Sequence, residues 1–98
     1  MNEVHRNTIR LCWVYLMKNM VYQELLDYFI SVDIFTSDMC EQVEVERTTN
    51  DKNNQLLFIL QRRGPTAFQI FLDGLRSTNQ EFIAEHLENQ CLQLGGTV

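Results

Sequence analysis

Three observations predict an all-α fold, an antiparallel bundle of six short helices. Apolar residues recur at helical spacing in most segments, and no segment alternates as a half-buried strand does. Punctuation is sparse, since four Gly and one Pro in 98 residues leave too few turn residues for a sandwich or barrel. The stretch Leu56 to Arg76 reads as an apolar helix, a stop, and a second apolar helix. Gly64 tolerates the left-handed backbone that ends the first. Pro65 suits the first turn of the second, where a missing N–H costs nothing. Ala67, Phe68, Phe71, Leu72 and Leu75 then share one stripe, with Leu56, Leu57, Ile59 and Leu60 beside it. So short a junction predicts two adjacent, roughly antiparallel helices.

The remaining elements follow in order. Asn2 is an N-cap for a first helix reaching Met20, with Ile9, Cys12, Leu16 and Met20 inward and Trp13 at the core edge. A second helix spans Tyr22–Val32, with Leu25, Leu26, Phe29 and Ile30 as its inner face. Asp33-Ile34-Phe35 connects it to a third, Ser37–Glu46, capped by Thr36, with Met39 and Val43 inward. Residues 47–53 read as a polar loop, with Asn50 or Asp51 capping a fourth helix that runs to Arg63. The fifth runs from Pro65 to Arg76. Thr78 and Glu81 match a capping box for a sixth, which turns Ile83, Leu87 and Cys91 inward and ends at Gly95-Gly96. The domain is thus expected over residues 1–92, with 93–98 as the start of a linker.

Charge is segmented. Residues 1–18 carry Arg6, Arg10 and Lys18 against Glu3. Residues 19–46 hold seven carboxylates and no Lys or Arg, whereas 47–76 hold Arg47, Lys52, Arg62, Arg63 and Arg76 against Asp51 and Asp73. The total of −5 disfavours nucleic acid as a partner. No apolar run approaches a membrane span, and the start of the chain lacks the apolar core of a signal peptide. Cys12, Cys40 and Cys91 are odd in number and widely spaced, which predicts buried, reduced thiols and a cytoplasmic setting. No phosphate loop, HExxH, GxSxG or calcium loop occurs, so no catalytic, cofactor or metal residue is assigned. His5 is expected at a frayed start and His86 half-buried on the last helix. What remains is surface. Cations on the first and fourth helices and carboxylates on the second and third would let copies dock head to tail.

The run Arg63-Gly64-Pro65-Thr66-Ala67-Phe68, followed by Phe71-Leu72-Asp73-Gly74-Leu75, resembles the helix four–five junction of the caspase recruitment domain (CARD) family, in the death-fold superfamily. It is similar to initiator-caspase prodomains of the caspase-9 and caspase-2 type. Glu24-Leu25-Leu26-Asp27, Asp33-Ile34-Phe35-Thr36, Met39 and the opening with Arg10 and Cys12 fit the same pattern, so the likeness covers residues 3–90. It implies a six-helix Greek-key bundle with a bent first helix. It also implies homotypic CARD–CARD binding that recruits an initiator caspase to an oligomeric platform in apoptosis. The implied partner is the CARD of an adaptor or scaffold, apoptosome-like or caspase-2-platform-like, with self-association besides. A free-standing adaptor or decoy CARD is the alternative. The implied basic side comprises Arg6, Arg10, Lys52, Arg62 and Arg63; the acidic side comprises Glu24, Asp27, Asp33 and Glu41. Three features depart from the family pattern, one of them a shorter loop before the fourth helix. Trp13 stands where an Arg is expected, and Asn50 and Asn54 fall where further cations would lie.

Overall fold

A threonine breaks the first helix. Thr8 donates its hydroxyl to the Val4 carbonyl at 2.8 Å, a back-bond that bends helices. Four residues on, Cys12 leaves helical geometry, with φ −95° and ψ 10°. Its N–H still reaches Thr8 O at 3.1 Å, and its carbonyl still accepts from Leu16 N at 2.9 Å, so the axis bends without losing its ladder. The structure, a computed structural model describing residues 1–98, therefore has seven helices and no strand. They are α1 (Glu3–Leu11), α2 (Trp13–Asn19), α3 (Tyr22–Ser31), α4 (Ser37–Glu44), α5 (Thr49–Leu60), α6 (Ala67–Ser77) and α7 (Glu81–Gln93).

Side-chain caps start three of the seven helices. Asn2 accepts from His5 N and Thr36 from Met39 N, as expected. The cap of α5 differs from expectation. Thr48, rather than Asn50 or Asp51, accepts from Asp51 N, and helix begins at Thr49 inside the segment read as loop. Gly64 does turn left-handed, at φ 100°, but α6 starts at Ala67, so Pro65 precedes the helix instead of opening it. Thr78 forms no capping box. Its hydroxyl donates to Gly74 O at 2.9 Å and closes α6, and the chain reaches α7 through Asn79 at φ 62°.

The packing is interleaved. α1 lies on α7, α2 on α5 and α3 on α6, while α4 covers α5 and α6 covers α7. The pair joined at Gly64-Pro65 is not the packed hairpin expected, because α5 packs chiefly on α4 and α6 chiefly on α7. This crossing of non-adjacent elements is the death-fold arrangement. One core of 25 buried residues results, with Phe29, Phe68, Phe71, Leu16, Leu25 and Leu72 fully enclosed. Gly74 is where α3 and α6 approach closely, since a Cβ there would sit 3.0–3.2 Å from Tyr28, Leu25 and Phe29. Ile30, expected in the core, is exposed. At 100° per residue it lies about 90° from the centre of the stripe formed by Tyr22, Leu25, Leu26 and Phe29. Neither histidine sits as expected. His5 stacks on Phe68 at 4.2 Å and bonds Thr97 O at 2.8 Å, whereas His86 is exposed, stacked on Tyr15. Cys40 is only half-buried, unlike Cys12 and Cys91.

Candidate protein-interaction surface

Two hydrogen bonds define a seam between α1–α2 and α5. Arg6 donates to Gln61 O at 3.4 Å, and the Trp13 indole N–H donates to Asn54 Oδ1 at 3.0 Å. The contacts lie seven residues apart on both strands of the seam, in opposite order, so the helices run antiparallel. Seven residues is close to two helical turns. The outward side therefore presents Arg6, Arg10 and Trp13 on one helix line, and Asn54, Phe58 and Arg62 on the other. Two of the three positions that depart from the basic pattern, Trp13 and Asn54, are bonded to each other.

The predicted basic residues divide. Arg6, Arg10 and Arg62 are exposed. Arg6 and Arg62 border one cleft, beside Gly64 and Pro65, and Arg62 and Arg63 border another, beside Met39 and Phe58. Arg10 projects separately and meets only Asn7, at 3.3 Å. Arg63 is half-buried and donates Nε–H to Ile34 O at 2.9 Å, tying the end of α5 to the α3–α4 connection. Lys52 stands apart from this group. It bonds Glu44 O at 3.1 Å, pairs with the Glu44 carboxylate at 3.6 Å, and lies over the Tyr22 ring. The Tyr22 hydroxyl foremost, then Glu44, hold its pKa above the ordinary lysine range.

The predicted acidic residues lie on α3, α4 and their connection. Glu24, Asp27, Asp33 and Glu41 are all exposed. The charges of Asp27 and Glu44 act on Cys40. Burial first, and these carboxylates next, push its thiol pKa up, which disfavours a reactive thiolate. Burial alone does the same for Cys12.

The molecule contains three ion pairs: Lys52–Glu44, Arg76–Asp73 and Arg76–Glu88. Of the nine charged residues singled out from the sequence, only Lys52 has a carboxylate partner within the fold. Phe58 was not anticipated. It is 54 % exposed, with the Arg62 guanidinium 5.5 Å from its ring centre. Its signal was present in the sequence, for it lies nearly half a turn from the apolar stripe of Leu56, Leu57 and Leu60. No group of three His, Cys, Asp or Glu side chains is placed to hold a metal ion, and no helix is long and apolar enough to cross a membrane.

Comparison with known proteins agrees with this architecture. The family model of the caspase recruitment domain matches residues 6–90. Caspase-2 of Gallus gallus is 32 % identical over 85 residues, covering 87 % of this chain and 20 % of the relative. Cell death protein 3 of Caenorhabditis remanei is 28 % identical over 88 residues, covering 90 % and 17 %. Caspase-9 of Homo sapiens is 28 % identical over 89 residues, covering 89 % and 21 %. The chain spans about a fifth of the length of these relatives. The helical architecture and the family match lead to one conclusion: this chain belongs to the caspase recruitment domain family.

Proposed function

We propose that this chain recruits an initiator caspase to an oligomeric activating platform, through homotypic contact with the CARD of an adaptor or scaffold in the cytoplasm. The observation that carries this reading is the placement of eight of the charged residues that the fold leaves without ion pairs. Arg6, Arg10, Arg62 and Arg63 lie along α1 and the end of α5; Glu24, Asp27, Asp33 and Glu41 lie along α3 and α4. A partner of opposite charge answers each set, and such complementarity steers encounter and fixes register. The mechanism is proximity. A platform that gathers several copies raises the local concentration of whatever each copy is joined to, without chemistry by the domain itself.

Binding to a panel of adaptor CARDs, measured by biolayer interferometry, tests the proposal. One member is expected to bind the wild-type chain, with at least a tenfold loss for Arg10→Glu or Asp27→Lys at unchanged circular dichroism. Absence of binding to every member, or variants that bind like wild type, would refute it. A transcript that continues past Val98 into a Cys/His protease would place the chain in a caspase. One that does not would favour a free-standing adaptor or decoy.

A further inference from the structure

Exposed apolar side chains are common and need no explanation singly. Phe58 differs because of what flanks it along α5. On one side, Glu46 and Asp51 border the cleft that it shares with Trp13 and Gln55. On the other, Arg62 and Arg63 border the cleft that it shares with Met39 and Gln55. The exposed ring therefore has carboxylates at one end and guanidiniums at the other. None of these four charges has an ion pair within the fold. Lys52, next to Asp51 in sequence, is engaged by Glu44 instead. The chain keeps a helical turn as far as Arg62, whose N–H reaches Ile59 O at 3.0 Å. At 100° per residue, Asp51, Gln55, Phe58 and Arg62 fall within about 60° of one another around the helix. They form one stripe, ordered as anion, amide, aromatic ring and cation.

A stripe in this order complements itself when turned end for end. A two-fold axis crossing α5 midway between Gln55 and Phe58 sets two copies of the helix antiparallel. Asp51 and Arg62 are equidistant from that midpoint, so each Asp51 lies opposite Arg62 of the other copy. A guanidinium and a carboxylate placed so can bond through both N–H groups. The two Phe58 rings then stand about 4.5 Å apart along the axis, an offset that suits stacked rings. We propose that this face is a two-fold contact between two copies of this chain, centred on the Phe58 pair and closed by two Asp51–Arg62 ion pairs. Such a contact is isologous: it uses the same patch on both copies and ends at the dimer. Glu24, Asp27, Asp33 and Glu41 stay outside it, so it differs from docking between unlike faces. On the docking role proposed above, on which this consequence rests, Arg62 serves both contacts. The dimer is then a resting form that an adaptor CARD must displace.

Sedimentation equilibrium at about 50 mM salt tests this, with protein up to about 0.5 mM, a concentration that reveals contacts as weak as millimolar. Wild type is expected to dimerise. Phe58→Ser, Asp51→Arg and Arg62→Asp should each weaken the dimer at least tenfold, with native circular dichroism. The double variant, Asp51→Arg with Arg62→Asp, exchanges the two ends of the stripe. It should dimerise to within about threefold of wild type. An equimolar mixture of those two single variants should form a one-to-one dimer, since one copy carries cations at both ends and the other carboxylates. A wild type that stays monomeric, an Asp51→Arg variant that associates like wild type, or a double variant that stays monomeric would each overturn the contact. Biolayer interferometry with an adaptor CARD separates the contact from docking. Asp51→Arg should bind the adaptor to within about threefold of wild type while losing the dimer. Equal losses of both would place Asp51 in the docking face and overturn the proposal. A wild type that dimerises as described and binds no adaptor CARD keeps the contact and removes the docking role alone.

Discussion

Charge reversal at Arg63 is expected to unfold as well as unbind, in contrast to reversal at Arg10. Arg63 is half-buried, and its Nε–H donates to the Ile34 carbonyl at 2.9 Å. That bond anchors a connection whose Ile34 and Phe35 side chains are both core residues. A hydrogen bond from a charged donor contributes about 1.5–3 kcal/mol, and a carbonyl left unpaired adds a desolvation cost. Arg63→Glu also sets a carboxylate against that carbonyl, so a loss of about 2–3 kcal/mol is expected. In a domain of this size each kcal/mol moves Tm by about 4–8 °C, which gives a drop of roughly 10–20 °C. Arg10 is exposed and meets only Asn7 at 3.3 Å, so Arg10→Glu should stay within about 0.5 kcal/mol of wild type. Thermal and urea unfolding, followed by circular dichroism, measures both. An Arg63→Glu Tm within about 2 °C of wild type would show that the Ile34 contact contributes little, and the assignment of Arg63 to the fold would be withdrawn.

Other perturbations follow from the same geometry. Phe68 is fully buried under the His5 ring, so Phe68→Ala should cost about 3–5 kcal/mol in urea unfolding; a cost below 1 kcal/mol would contradict its place in the core. A double-mutant cycle with Trp13→Phe and Asn54→Ala should return a coupling of about 0.5–1.5 kcal/mol for the seam bond, and a coupling of zero would mean the bond does not hold. Lys52 is held above the ordinary lysine range, first by Tyr22 and then by Glu44. A raised folded-state pKa stabilises below the unfolded value, so stability should fall as pH climbs through and beyond the lysine range. Lys52→Met should flatten that fall; an equally steep decline in the variant would assign it to other groups.

Much of the architecture was legible because helical burial writes a period into the sequence. The stripes through Ile9, Leu16, Leu25, Phe29, Phe68, Leu72, Ile83 and Leu87 all lie in the core. The failures share a physical origin in competition between local hydrogen bonds. Thr48 and Asn50 can each accept from a helix N-terminus, and the sequence does not show which the third dimension favours. Thr78 can cap the next helix or close the previous one, and the Gly74 carbonyl claimed it. Asn53 was read as loop by its polarity, although it keeps period with Leu56, Leu57 and Leu60 and is buried, donating to Met20 O at 3.2 Å. The surface was legible as charge and illegible as pairing. Lys52 and Arg62 look alike in sequence, yet one is bound to Glu44 and the other lies free over an aromatic ring. The turn that brings Glu44 back against Lys52, eight residues along the chain, separates them.

The most direct test of the account is the affinity of the chain for an adaptor CARD at about 50 and 300 mM salt, before and after the double change Arg10→Glu with Arg62→Glu. Both residues are exposed and unpaired within the fold, so the variant should remain folded. Its affinity is expected to fall by more than tenfold at low salt and to become nearly insensitive to ionic strength. Equal affinity and an equal salt dependence in the two proteins would show that these cations do not face the partner.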